Sequence, residues 1–431
     1  MRRRFAVLLA MLASCKGCED VPHVASDAGV ESGAAVDATP AEGGTLQDGA
    51  AAPSSDGGEN DAASEVDEPF GDAGTSSCRL VYGPAEQPFR GPAALAVVGR
   101  ELRLVANDAG KPRIYPVAIA PIPPKGAAAF VPRRPSSFVG MRWPPCELAG
   151  RFAYCQGPGG PVVRSVLGST EPGKTVAKSR SGTRIAAVAL GSDHSAVAFL
   201  DVRRTTEGDM LQAFVALDDH EPVRLSDEGA GATTLRFLPR GDAAVAVYLD
   251  TRTSMVPVHA RPLSMKNGDL ALGEDAVIFV GGVPERGIDF AVASVGSRGF
   301  AFVPMPRETI EFGMAVLPIE DPPKDDVGAV WSSYPNGLDP APLAAAPARD
   351  GKTAWVLRVR PREKAVGSPR ILELGKVDAS GAFSSFGEIA PARGATDVAL
   401  VEDGAGAVWL LYGDATITWL ERRVCPSSVS P

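Results

Sequence analysis

Short apolar segments that recur along most of the chain constrain its fold more than any other feature. Each is rich in Val, Leu, Phe and Ala, spans about four to eight residues and ends at Gly, Asp, Ser or Pro. None of them shows the 3.6-residue periodicity of an amphipathic helix. The clearest segments are RIAAVALG (184–191), SAVAFLD (195–201), LQAFVALD (211–218), DAAVAVYLD (242–250), FAVASVG (290–296), TAWVLRVR (353–360) and GAVWLLYGD (406–414). Short strands separated by turns predict an all-β domain.

The segments recur at a nearly regular interval. The second strand of each predicted hairpin is placed at Leu102, Phe152, Val197, Val245, Ala301, Trp355 and Trp409, with intervals of 45 to 56 residues. A repeat of about 40–55 residues built from four short strands is typical of a β-propeller blade. The sequence therefore predicts a β-propeller over residues 78–431, with seven four-stranded blades favoured and six or eight left open.

Three hairpins carry a resemblance to known propellers. RFLPRGDAAVAVYLD (236–250), APARDGKTAWVLRV (346–359) and EDGAGAVWLLYGD (402–414) resemble the Pro-Asp-Gly-Lys hairpin of the Tol-associated periplasmic propeller and of WD-repeat proteins. The resemblance implies that the glycine turn joins the innermost strand of a blade to its second strand. The chain departs from the pattern because no blade ends in Trp-Asp and Arg240 replaces the usual Asp. The resemblance concerns fold and implies no activity.

Two neighbouring repeats share an Asp-x-Arg sequence after the apolar strand. The pairs are Asp201 with Arg203 and Asp250 with Arg252. In sialidase-like propellers such arginines would be functional. We favour the alternative that each pair holds the same turn in successive blades.

The amino terminus carries an export signal. Arg2, Arg3 and Arg4 precede an apolar run from Phe5 to Leu12, and Leu12-Ala13-Ser14-Cys15 resembles the lipobox of bacterial lipoproteins. The resemblance implies cleavage of residues 1–14 as a signal peptide, then attachment of a diacylglyceryl group and a further fatty acid such as palmitate at Cys15. Lys16 follows the cysteine, which implies the cell outer membrane on its periplasmic or surface face. The alternative is ordinary secretion, with Cys15 unmodified.

The segment from the lipidated cysteine to residue 77 is predicted to be a disordered tether. From Gly17 to Ser77 it contains fourteen acidic residues, no Lys or Arg, and mostly Ala, Gly, Ser and Pro. We favour a solvated spacer over an acidic interaction segment. Residues 78–431 retain 39 basic and 38 acidic residues, so this part is nearly neutral. This balance argues against nucleic acid as a partner.

Four cysteines of the predicted propeller are expected to form disulfides, because an exported chain meets an oxidising compartment. Cys146 and Cys155 lie on the two arms of a hairpin around Gly150. Cys78 and Cys425 begin and end the repeats, so their bridge would join CRLVYG (78–83) to ITWLERRVC (417–425) in one blade. The alternative is a metal site, but the spacings match no zinc pattern. Cys18 has no predicted partner.

No catalytic constellation is recognisable in the sequence. His23 lies in the tether, and His194, His220 and His259 lie in three separate turns or strands. No intact Ser-x-Asp-x-Gly-x-x-Trp turn is present; near Asp350 and Trp355, Lys352 stands where the glycine should be. The sequence predicts no catalytic residue, no metal and no cofactor.

Charges at the starts of the innermost strands are the candidate binding residues. Such strands line the channel of a propeller, and charges rarely occupy buried strand positions without a partner or a function. Counting back seven residues from Gly191, Gly296 and Gly404 gives Arg184, Asp289 and Asp397; Arg142 and Arg236 occupy less well aligned positions. We favour a structural ring of ion pairs over a ligand site.

These observations define the functional hypothesis. The sequence favours a non-enzymatic binding or scaffolding module at the cell envelope, held to the membrane by its lipid, with a protein or glycan partner. The alternative is a glycan-active hydrolase or lyase with its site at the channel mouth. Two carboxylates about 5–9 Å apart in the channel would favour that alternative.

Overall fold

The computed structural model describes residues 77–87, 93–98, 101–108, 110–116, 146–180, 185–206, 208–228, 231–252, 255–282, 290–308, 311–320, 330–334, 343–362, 370–391, 395, 397–413 and 418–426. The predicted signal peptide, Cys15, Cys18 and nearly all of the tether lie outside these ranges. Among the described residues, every regular element is a β-strand. No helix in this part of the chain could cross a membrane.

The first strand, β1 (Arg79–Glu86), belongs to the last blade, and the other strands follow the chain in order. Blade 1 contains β2 (Ala93–Val98), β3 (Glu101–Asp108) and β4 (Lys111–Pro116). Blade 2 contains β5 (Glu147–Ala149), β6 (Phe152–Gln156), β7 (Pro161–Val166) and β8 (Lys174–Lys178). Blade 3 contains β9 (Ala186–Leu190), β10 (His194–Thr205), β11 (Gly208–Leu217) and β12 (Val223–Arg224).

The remaining blades repeat the same antiparallel order. Blade 4 contains β13 (Ala232–Arg240), β14 (Ala243–Asp250), β15 (Met255–Lys266), β16 (Asp269–Leu272) and β17 (Ala276–Gly282). Blade 5 contains β18 (Ala291–Val295), β19 (Arg298–Glu308), β20 (Glu311–Pro318) and β21 (Val330–Tyr334). Blade 6 contains β22 (Leu343–Pro347), β23 (Thr353–Pro361), β24 (Arg370–Asp378) and β25 (Phe383–Pro391). Blade 7 contains β26 (Asp397–Glu402), β27 (Val408–Gly413), β28 (Thr418–Val424) and β1.

The protein is a seven-bladed β-propeller, as the repeat predicts. Each residue placed on a second strand lies in the second strand of a blade, from Leu102 in β3 to Trp409 in β27. The glycine turns also lie where the resemblance implies. Gly241 joins β13 to β14 at φ 60°, and Gly351 joins β22 to β23 at φ 64°, a conformation that disfavours side chains with a Cβ.

Blade 4 has one outer strand that is broken into two pieces. Both β16 and β17 pair antiparallel with β15, at Leu263–Lys266 and at Met255–Ala260 respectively. Residues 273–275 interrupt the pairing between them, so β16 and β17 together occupy the outermost position that a single strand occupies in other blades. An interruption of this kind redirects side chains, as a β-bulge does.

The core consists of apolar layers between neighbouring blades. One cluster joins blades 3 and 4 through residues such as Leu200, Val215, Phe237 and Tyr248. The innermost strands β9 and β18 alternate buried and half-buried residues, because alternate side chains of a strand point to opposite faces. Burial between blades, repeated around the ring, accounts for the stability of a domain whose described elements are all strands.

Both predicted disulfides are confirmed. Cys146 is bonded to Cys155, and Cys78 to Cys425. Strand β1 pairs with β28, so the first described strand completes the last blade. Arg423 reinforces this junction because its Nη2 donates to the Ile389 carbonyl at 2.9 Å and its Nη1 to the Cys78 carbonyl at 3.3 Å. Burial raises the pKa of Glu421, although Arg423 Nε lies 2.7 Å from its carboxylate.

Candidate functional site

A cavity of about 280 Å³ lies in the central channel. It is lined by the innermost strands of six blades: Ala93–Leu95, Glu147 and Leu148, Arg236 and Phe237, Ala291 and Val292, Leu343–Ala345, and Val398–Leu400. Most of these residues lie in the first half of their strands. Since the innermost strands run in the same direction around the ring, the cavity lies at the end of the channel where these strands begin.

Small side chains create this space, and two charged residues give it polarity. Alanines from four blades line the wall, and alanine leaves volume where a larger side chain would fill the channel. Glu147 and Arg236 contribute opposite charges to the same wall. Among the described residues that line the cavity, Glu147 is the one carboxylate.

Arg236 is held in position by its neighbours. Its Nη1 donates a 2.8 Å hydrogen bond to the Leu235 carbonyl, and its guanidinium lies 5.8 Å from the ring centroid of Phe290 in the next blade. The side chain is half-buried. A planar guanidinium fixed at the wall of a cavity suits recognition of a carboxylate or another acceptor group.

The structure describes only some of the other charged residues that were predicted to face the channel. Asp397 is the first residue of β26 and immediately precedes Val398, which lines the cavity. Arg142, Arg184 and Asp289 lie outside the described residues. Of the two candidates that the structure describes, Arg236, placed less well by the glycine count, lines the cavity and Asp397 does not. Glu147 was not predicted from the sequence as a channel residue. Its position immediately after Cys146, at the start of an innermost strand, is the signal that could have identified it.

The Asp-x-Arg pairs hold the connections that lead into the innermost strands. Asp250 Oδ1 accepts hydrogen bonds from the Gly231 and Arg252 amides at 3.0 and 3.1 Å. Asp201 Oδ1 accepts from the Arg180 amide and its Nε at 3.3 and 3.0 Å. Burial opposes ionisation of Asp201, but the bonds from Arg180 outweigh it and lower the pKa of this carboxyl. These contacts support the structural interpretation of the pairs.

Two aspartates organise hairpins at the opposite end of the blades. Asp350 accepts hydrogen bonds from the Lys352 and Thr353 amides, both at 2.8 Å. Asp403 accepts from Trp409 Nε1 at 3.0 Å and from Arg422 Nε at 2.8 Å. The chain therefore builds aspartate-centred turns near tryptophans without the intact motif sought in the sequence. Their bonds stay within one blade, to the turn itself and to the third strand through Arg422 and Lys376, so they stabilise the turns.

Arg240, which replaces the usual hairpin Asp, connects two blades. Its Nη1 donates to Ser294 Oγ at 2.8 Å, and its Nη2 contacts Glu320. Both partners belong to blade 5, whereas Arg240 ends β13 of blade 4. The departure from the family pattern thus supplies an inter-blade contact.

Two of the described histidines each pair with a carboxylate. His194 Nδ1 lies 2.7 Å from Asp218 Oδ2, and His259 Nδ1 lies 3.2 Å from Asp275 Oδ2. Within the described ranges, no three His, Cys, Asp or Glu side chains are grouped closely enough to hold a metal ion.

Comparisons with known proteins found similarity to solved structures only. No family model and no curated protein matches the chain. A lectin of Aleuria aurantia, solved as a mutant with α-methyl-L-fucoside, is 12% identical with a TM-score of 0.36, over 66% of this chain and 95% of its own. An α-L-arabinofuranosidase of Fusarium graminearum, solved with arabinobiose, is 9% identical with a TM-score of 0.37, over 65% and 92%.

A Trypanosoma rangeli sialidase mutant is 12% identical with a TM-score of 0.39 over 78% of this chain. The match spans about half of that sialidase, 54% of its length. These proteins share the class of fold that the blade order defines, the β-propeller.

Proposed function

We propose that this protein is a lipid-anchored β-propeller of the bacterial cell envelope that binds its partner at the channel mouth. The cavity with Arg236 and Glu147 on its wall carries this proposal. A volume of about 280 Å³ lies near the lower end of the range for small-molecule sites. It suits one small polar group, presented by a protein or a glycan, better than an extended ligand.

The chemistry of the wall favours binding over catalysis. The oriented guanidinium of Arg236 can donate hydrogen bonds to a partner's carboxylate or hydroxyl oxygen, and the carboxylate of Glu147 can accept one from an N–H or O–H group. The alanines contribute apolar contact without obstructing the channel. The amino-terminal lipid would concentrate this module at a membrane, where a rigid ring can serve as a scaffold.

The test compares the full-length protein with two arginine variants. Affinity capture from envelope extracts is performed with the wild type, with Arg236→Ala and with Arg79→Ala, an exposed residue of the outer strand β1. We expect Arg236→Ala to lose the captured partner while its melting temperature stays close to that of the wild type. Arg79→Ala should retain the partner. Equal capture by all three proteins would contradict binding at the channel.

A further inference from the structure

The outer rim between blades 3 and 4 exposes a group of valines. Val223 of β12 is 42% exposed, and Val277 and Val280 of β17 are 50% and 44% exposed. Val223 pairs with Val215, a member of the cluster that joins blades 3 and 4. Val277 pairs with His259, whose ring stacks 4.8 Å from that of Tyr248 in the same cluster. Because directly paired residues share a face, these valines flank the gap between the two blades, here called the rim crevice.

Strand β17 offers a free backbone edge beside the rim crevice. Among the described residues it pairs with β15 alone. Its sequence, AVIFVGG, contains no charged residue and no proline. The outer strands β1, β4, β8, β12 and β25 each carry at least one charge, the usual protection of an edge against further pairing, whereas β21 (VWSSY) of blade 5, like β17, carries none. An apolar, uncharged edge is the feature that strand addition uses.

The rim crevice is also acidic. Arg261 lies at its base, where Nη1 donates to the Leu225 carbonyl at 2.5 Å and Nε to the Gly273 carbonyl at 3.0 Å, so both bonds go to backbone. Arg224 lies 3.5 Å from Glu228. Asp227 and Glu274 are exposed on either side. Together with the buried Asp275, four carboxylates of the described residues surround the valines against two guanidinium groups, so this region attracts a basic segment more than an acidic one.

A buried carboxylate lies beneath Val277. The Asp275 side chain is 7% exposed, and its Oδ2 is bonded to His259 Nδ1 at 3.2 Å and to the Tyr248 hydroxyl. Its Oδ1 has no hydrogen-bond partner in the structure. A buried carboxylate oxygen without a donor adds negative potential to the floor of the rim crevice.

We propose that the rim crevice binds an extended segment of a partner protein that pairs with β17 and alternates apolar and basic side chains. Backbone hydrogen bonds to β17 would supply affinity. Apolar side chains of the segment would contact Val223, Val277 and Val280 on the face toward blade 3. Its Lys or Arg side chains would point to the opposite face, and the carboxylates around the rim crevice would attract them at longer range. This surface is distinct from the channel mouth, because it lies on the outermost strands.

The test uses a labelled eight-residue peptide of alternating Val and Lys with blocked ends, measured by fluorescence anisotropy against the full-length protein in detergent. We expect saturable binding of this peptide and none of its Val-Glu counterpart. Val280→Lys should weaken binding by about tenfold or more. Val166→Lys, which adds the same charge at a valine 46% exposed on blade 2, should leave binding unchanged, as should Arg236→Ala. Circular dichroism confirms that each variant is folded.

Three results would overturn the proposal. The first is equal binding by Val280→Lys and the wild type, and the second is equal binding of the Val-Glu peptide. The third is undiminished binding of a Val-Lys peptide whose backbone nitrogens are methylated along one edge, because such a peptide cannot donate backbone hydrogen bonds to β17. Sedimentation that shows a wild-type dimer abolished by Val280→Lys would instead assign the rim crevice to a second copy of this chain.

Discussion

Glu402 of the last blade accepts a 2.6 Å hydrogen bond from the indole nitrogen of Trp355 in the blade before it. The same Oε2 atom accepts from the Arg349 amide at 2.8 Å. One carboxylate thus binds both the turn and the second strand of its neighbour. Contacts of this kind, together with those of Arg240, fix the angle between adjacent blades in addition to their apolar layers.

Removal of this carboxylate should weaken the ring. Glu402→Ala leaves the indole N–H of Trp355, a side chain that is nearly fully buried, without its acceptor, so we expect a loss of about 1–3 kcal/mol in the free energy of unfolding. Urea titration followed by tryptophan fluorescence measures it. Glu221→Ala, at an exposed turn position, is the control and should change little. Equal stability of the two variants would show that the inter-blade bond contributes nothing.

The two disulfides should contribute unequally. Cys78 and Cys425 are 347 residues apart, whereas Cys146 and Cys155 are 9 apart. On the chain-entropy model the longer loop stabilises more, by about 2 kcal/mol or more. Replacing each pair by alanines and measuring both unfolding free energies tests this difference. A larger decrease in the free energy of unfolding when Cys146 and Cys155 are replaced would show that local packing outweighs loop entropy.

Acid should weaken the hairpin of Asp350. Burial opposes ionisation of this carboxyl, but the hydrogen bonds from Thr353 and Lys352 outweigh it and lower its pKa to about 2. A depressed pKa gives stability that is present above about pH 4 and is lost as pH falls toward 2. Because the side chain is 38% exposed, solvent screening limits the contribution to about 1 kcal/mol.

The measurement for Asp350 is the free energy of unfolding of wild type and Asp350→Asn at a series of pH values. The difference between the two proteins should be constant near neutrality and should shrink below pH 4. A difference in unfolding free energy that grows on acidification would contradict a stabilising role of the ionised Asp350 carboxylate.

Lipidation should depend on Cys15. Labelling cells with radioactive palmitate should mark the wild type, and Cys15→Ser should lose the label, because it lacks the thiol that we propose receives the diacylglyceryl group. Cys18→Ser is the matched control and should remain labelled. Label retained by Cys15→Ser would place the lipid at another residue.

Much of the fold follows from the sequence because each blade repeats the same local pattern. The apolar strand and its glycine turn recur with every blade, so Leu102, Trp409 and the residues between them locate every second strand. The disulfide of Cys78 and Cys425 was also predictable, since the repeats begin and end at these residues. Local signals repeated seven times define the ring.

The contacts that depend on neighbouring blades were not predictable. Arg240 reaches Glu320 and Trp355 reaches Glu402 only after two blades pack side by side, and no spacing in the sequence encodes that approach. Counting back seven residues from the hairpin glycine also did not locate Arg236. Strand β13 is longer than the other innermost strands, so a different position of this strand faces the cavity. The break at Asp275 carries no turn motif beyond Gly273.

The pairing of β1 with β28 determines when the protein can become complete. Arg79 finds its partner, Val424, only after 345 further residues have emerged. Until β28 is synthesised, blade 7 lacks its outer strand, and β1 has no β28 with which to pair. Six blades can form in the order of synthesis, but the seventh requires β28, so a chain that stops before β28 would leave β1 without this partner and the ring unclosed.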